Sequence, residues 1–190
     1  MSLLSVGKRK KYFEALSLGE YNETNIKKFQ RKYFKRAKDI DGIYGPDTDI
    51  LLRHVYTVRV EVKCKNFTPD EFICDCGKCT GYPTYMRANM LRLIQNVRNK
   101  YNKPVYVTSA LRCAYENKSV GGVPNSRHLT GQAVDYYING VTTTLAGRKQ
   151  LIKFLTSLPK HDYSYCNGAD SYNRKRVAPN MGNAVHTQSK

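Results

Sequence analysis

The chain predicts an α+β fold in two units, on three observations. Apolar residues recur at helical spacing near the N-terminus and again in the middle of the chain. Short β-prone runs, rich in Val and Tyr, lie among and after the later helices. Helices and strands do not alternate regularly, which fits an antiparallel sheet with helices on one face and the other face left open.

Taken in order, Ile26, Phe29, Tyr33 and Phe34 fall on one helical stripe, with Lys27, Lys28, Arg31, Lys32 and Lys35 between them, so the helix has a basic outer face. The run Asp41-Gly42-Ile43-Tyr44-Gly45-Pro46-Asp47-Thr48 follows. Its glycines suit tight turns, and Pro46 suits the first helical position before residues 50–54. A boundary in 56–66 divides a unit of residues 1–60 from one of residues 61–190. In the second unit Met86, Met90, Leu91, Leu93, Ile94 and Val97 predict a helix over 84–101, and a further helix is expected over 145–158. Strands are expected at 105–109, 132–138 and 184–187, and residues 188–190 are expected to fray.

The 190 residues carry a net charge of +17. Residues 1–60 hold 13 Lys or Arg against 7 Asp or Glu, so both units are basic. Such a surface favours an acidic partner. Nucleic acid is one candidate, since the 15 tyrosines offer stacking faces, but no recognised nucleic-acid motif is present and the basic residues are spread out. An anionic polymer of another kind satisfies the same electrostatics. No membrane span is expected.

The segment Ser126-Arg127-His128-Leu129-Thr130-Gly131-Gln132-Ala133-Val134-Asp135, with His186 fifty-one residues beyond, reads as a zinc site. Two imidazoles and one carboxylate hold a catalytic zinc and leave a fourth position for water or substrate. In a strand over 132–138, Ala133 and Asp135 share one face and Val134 and Tyr136 the other. Pairing that strand with 184–187 would carry His186 to Asp135. Spacing alone also fits ordinary surface or capping residues.

The pattern Ser-x-His-x-x-Gly-x-Ala-x-Asp resembles the first metal motif of the zinc D-alanyl-D-alanine peptidases, a family that includes phage endolysins and the hedgehog signalling domain. Phe72-Ile73-Cys74-Asp75-Cys76-Gly77-Lys78-Cys79 looks like the opening of one branch of that family. Pro104 to Ser109, Leu111-Arg112-Cys113, Asn117 and Val120-Gly121-Gly122 continue the likeness, which spans roughly 66–188. The resemblance implies zinc on His128, Asp135 and His186, with Arg112 gripping a substrate carboxylate or carbonyl through its rigid fork of donors. Ser126 joins Arg112 as a substrate-binding candidate. Where relatives carry an acid or a histidine just before the last metal ligand, this chain has Asn183 and Ala184, neither of which is a base. Asp162, Asp170 and His161, in a loop expected over 160–173, are the substitutes for proton transfer, and Gln188 could orient His186.

In the first unit, Phe29-Gln30 with the turn at 41–48 resembles the small three-helix peptidoglycan-binding domain over roughly 8–56. The two resemblances together imply a monomeric, zinc-dependent peptidoglycan hydrolase, endolysin-like, cutting an amide bond in the wall peptide. Its helical unit would anchor it to bacterial peptidoglycan or anionic wall polymers and raise the local concentration of the catalytic unit. Carboxypeptidase and endopeptidase action both stay open. The alternative is a wall-binding protein with a structural zinc; a zinc-containing nucleic-acid binder would leave the motif at 126–135 unused.

Six cysteines complete the inventory: Cys64, Cys74, Cys76, Cys79, Cys113 and Cys166. Free thiols in a reduced cytoplasm are the expectation. The tight Cys74-x-Cys76-x-x-Cys79 spacing admits instead a second, structural zinc, with Cys113 or Cys64 as fourth ligand. No apolar stretch of signal-peptide length precedes the first unit, which leads to the expectation of a protein made in the cytoplasm and released to the wall at lysis.

Overall fold

The computed structural model describes residues 2–190. Six α-helices and a five-stranded sheet form it among these residues. Helices α1 (Val6–Ala15), α2 (Glu23–Tyr33) and α3 (Pro46–Tyr56) make the N-terminal unit. Ser5 and Asn22 cap the first two, each side-chain oxygen accepting a backbone N–H of the first turn. Pro46 takes the first position of α3, where a missing N–H costs nothing. Helix α1 carries no clear apolar stripe, since its face is Lys-rich and only Phe13 is buried.

One buried side chain ties the two halves of this unit together. Gln30 on α2 accepts the Gly42 N–H through Oε1 at 2.8 Å and aims Nε2 at Asp41 Oδ1, the Ile43 carbonyl and Thr48 Oγ1 at 2.9 to 3.1 Å. The glutamine and the distant turn are therefore one physical motif. Beyond α3 the backbone continues through a π-helical turn, Thr57–Glu61, whose Thr57 and Val58 are buried. The boundary expected at 56–66 thus begins inside a core shared by both units. His54, fully buried, bridges them: its Nε2 donates to the Pro69 carbonyl at 2.8 Å, and its Nδ1 accepts the Met86 N–H at 3.2 Å.

The second unit holds α4 (Ala88–Tyr101), α5 (Ala114–Ser119) and α6 (Leu145–Thr156) with strands β1 (Tyr106–Ser109), β2 (Ala133–Tyr137), β3 (His161–Cys166), β4 (Ala169–Asp170) and β5 (Val185–Ser189). The order is β1-β2-β5-β3-β4 and every pairing is antiparallel. Leu91, Ile94 and Val97 of α4 and Leu151 and Leu155 of α6 form the core with Val134, Tyr136 and Val185 of the sheet. Helix α4 starts four residues later than its apolar pattern predicts, because Met86 and Arg87 are drawn into bonds with His54 and the Gly131 carbonyl. The segment expected to be a loop at 160–173 is largely the β3–β4 hairpin. The C-terminus does not fray: Ser189 N–H donates to the Gln132 carbonyl and Lys190 N–H to the Lys160 carbonyl, both at 2.9 Å. No helix among the described residues is long and apolar enough to cross a membrane.

Candidate metal centre

The open face of the sheet carries the site, and strand register builds it. Asp135 on β2 stands directly opposite His186 on β5, while Val134 and Val185 point into the core. His128 comes from the short 3-10 helix Arg127–Thr130, which ends at Gly131. Gly131 sits at φ +69, and a Cβ there would lie 2.2 Å from the Tyr85 carbonyl oxygen, so no other residue fits this turn. The ligand atoms of His128, Asp135 and His186 all lie within 4.8 Å of one another, and all three residues are buried.

Hydrogen bonds orient both imidazoles. His128 Nδ1 lies 2.7 Å from the Ala110 carbonyl oxygen, which can only accept, so Nδ1 carries the hydrogen. His128 Nε2 then has a bare lone pair, buried without a hydrogen-bond partner, 3.3 Å from Asp135 Oδ2. On the other side, Gln188 Nε2 donates to Asp162 Oδ2 at 3.0 Å, which turns Gln188 Oε1 toward His186 Nε2 at 3.2 Å. His186 Nε2 thus faces an acceptor, and Nδ1, 2.7 Å from Asp135 Oδ1, is the ring nitrogen turned toward the carboxylate. A cation bound here would take His128 Nε2, His186 Nδ1 and an Asp135 oxygen as its ligands. The donor set, two imidazoles and a carboxylate, fits zinc. Burial lowers the pKa of His128 and so favours the neutral, ligating form.

Arg112 stands beside this centre. Its Nε donates to Ser109 Oγ at 2.8 Å and its Nη2 to Asp135 Oδ2 at 2.6 Å. The expected substrate grip is thus also the clamp of a candidate ligand. Ser126, half-buried at the start of the 3-10 helix, lines the same cleft, a cavity of about 1040 Å³. Tyr165, which the sequence reading did not single out, stacks on His186 with ring centroids 4.7 Å apart, and Arg176 lies 4.5 Å above the Tyr165 ring. The strand alternation of Tyr163 and Tyr165 was the available signal, hidden by the loop assignment.

The proton-transfer candidates are placed elsewhere. Asp162 reaches the site only through the Gln188 amide, which carries no titrating proton, so Asp162 orients His186 instead of serving the cleft as a base. Asp170 is bound by Arg174, Tyr163 and the Tyr172 N–H within the hairpin. His161 is buried against Ser164 Oγ at 2.9 Å. Asn183 lines the cleft 3.4 Å from an Arg148 nitrogen. Asp135 is the one carboxylate lining the cleft among the described residues.

A second group converges from up to 39 residues apart in sequence: Cys74, Cys76, Cys79 and Cys113 also bring their sulfurs within 4.8 Å of one another. The fourth member is Cys113; Cys64 lies apart, buried, its thiol pushed up to about 11 by burial.

Residues 65–158 match the family model described as Peptidase M15. The match takes in Arg112, His128 and Asp135 and supports a metallopeptidase of the zinc D-alanyl-D-alanine peptidase kind. It stops before His186, which the fold alone joins to the other two. No curated protein matches the chain.

Proposed function

We propose that this chain is a zinc-dependent peptidoglycan hydrolase, endolysin-like, which cleaves an amide bond in the cell-wall peptide and uses its helical unit as the wall anchor. The observation that carries the reading is the convergence of two buried imidazoles on the Asp135 carboxylate in an open cleft, one of them with an unpartnered ring nitrogen. Zinc held by His128, Asp135 and His186 would supply a Lewis acid for the scissile carbonyl and would acidify water in the cleft. The chain's own residues supply the rest. Arg112 keeps Asp135 ionised and aimed, and its Nη1, which makes no hydrogen bond within the described residues, offers a donor to a substrate carbonyl or carboxylate. Burial raises the Tyr165 phenol, so it stays a proton donor at neutral pH, suited to an oxygen that gains charge. Exposed Val120 and Val123 on one rim and Val177 on the other give the cleft an apolar grip for peptide side chains.

The two basic units suit anionic wall polymers, and tethering them keeps the cleft near its substrate. Turbidity clearing of purified walls, with mass analysis of released fragments, tests the reading. Clearing that stops with chelator, resumes with zinc and fails for His186→Ala is the expected result; undiminished clearing by a zinc-free variant would sink it.

One observation favours a second reading, a wall-binding protein whose zinc is structural: the cleft offers no carboxylate beyond Asp135 to take a proton. Wall sedimentation without release of any fragment would establish it.

A further inference from the structure

Four cysteines from two loops meet on the far side of Arg112. Cys74, Cys76 and Cys79 belong to the irregular stretch after the 3-10 turn Pro69–Phe72, and Cys113 caps α5. Cys76 Sγ lies 3.7 Å from Cys79 Sγ and 3.6 Å from Cys113 Sγ. These are not disulfide distances. A tetrahedral zinc with Zn–S bonds of about 2.3 Å sets its sulfurs about 3.8 Å apart, which is close to what is seen.

The backbone around the cluster is arranged for thiolates. Each of the four sulfurs accepts one main-chain N–H at 3.4 Å: Cys74 from Cys113, Cys76 from Lys78, Cys79 from Gly81 and Cys113 from Glu116. Donors aimed at every sulfur stabilise negative charge, and four adjacent thiolates require a cation to hold them together. A soft tetrahedral S₄ set selects zinc or iron, and four protein ligands leave no open position for water or substrate.

We propose that Cys74, Cys76, Cys79 and Cys113 bind a structural zinc ion, separate from the cleft, which clips the 73–81 loop to the turn that carries Arg112. Arg112 immediately precedes Cys113, and its own N–H donates to the His128 carbonyl at 3.3 Å. Leu111 N–H donates to the Phe72 carbonyl at 3.1 Å, so the same turn is held from both sides. Arg36 of the helical unit donates through Nη1 to the Lys78 carbonyl at 2.8 Å, which fastens the clip to the N-terminal unit as well. The site stands on its own geometry; only the value of a fixed Arg112 rests on the hydrolase reading.

Metal analysis of the purified chain tests this without any activity assay. The wild-type protein is expected to hold two zinc ions, and His128→Ala/His186→Ala to keep one. Cobalt exchanged into that double variant should show the intense near-ultraviolet sulfur-to-metal band of a thiolate site. Thiol titration of the wild-type chain provides a readout that does not depend on the folding of Cys76→Ser: four thiols protected until a mercurial releases zinc, two reactive on unfolding alone. A double variant with no metal, iron in place of zinc, or six equally reactive thiols in the folded chain would overturn the assignment. Loss of wall clearing in the His128→Ala/His186→Ala chain with its one zinc retained would uphold this site, whereas failure of the wild type to clear walls while holding two zincs would count against the hydrolase alone.

Discussion

The two ligand clusters differ in what makes them. The cysteine group draws three of its four members from six consecutive residues and hangs on irregular backbone, whereas His128, Asp135 and His186 are spread over fifty-nine residues and depend on a sheet. One set is complete at four soft ligands; the other stops at three and opens into a cleft. Local spacing gathers most of a closed ligand set, whereas the open three-ligand set needs elements from across the chain, since one side of it must stay free. Arg112 stands between them, bonded to Asp135 and adjacent to Cys113.

That contrast can be broken at several points. The largest effect is expected from Asp135→Asn, which removes the charge both imidazoles face: zinc in the cleft and wall clearing should fall to background while circular dichroism is preserved. A chelator should likewise strip the cleft first, and equal loss of metal from both clusters, followed by zinc analysis over time, would erase the distinction between open and closed sites. Arg112→Ala should lower kcat/KM for wall peptide by about 10²–10³-fold, the range for one lost transition-state donor, with zinc content unchanged. His54 tests the frame behind both clusters. Burial holds its pKa down to about 4 from 6.5, with the Pro69 hydrogen bond opposing. The unfolded chain therefore takes up this proton first as pH falls below 6.5; the stability from neutral His54 is full above that value and declines toward pH 4, by about 3 kcal/mol. Urea titrations of wild type and His54→Gln at pH 7 and pH 4 should differ by that slope. The smallest effect is expected from Gln188→Ala, which frees the outer nitrogen of His186: about 10–100-fold in zinc affinity, by competition with a chromophoric chelator.

Much of this was legible in the sequence, for identifiable reasons. The helices α2, α3, α4 and α6 and strands β1, β2 and β5 carry clear apolar periodicity or β-branched runs. Asp135 could be assigned to the open face by strand alternation alone. What was not legible depended on long-range bonds. Helix α5 has only six residues, too few for a periodic signal. The β3–β4 hairpin carries His, Asp and Ser among its tyrosines and reads as polar loop until Thr187 and His186 pair with it. The role of Asp162 was invisible because it acts through Gln188 on another strand. Cys113 could not be chosen over Cys64 because the turn after β1 had to fold onto the 73–81 loop first.

The pairing of Asp135 with His186 has a further consequence for how this chain matures. A slip of one residue between β2 and β5 would turn His186 into the core and set Val185 or Thr187 in its place. A misregistered sheet would have no third ligand. A metal ion bound in the cleft would therefore proofread assembly: only chains that close the sheet in the correct register would gain the added stability of the ion.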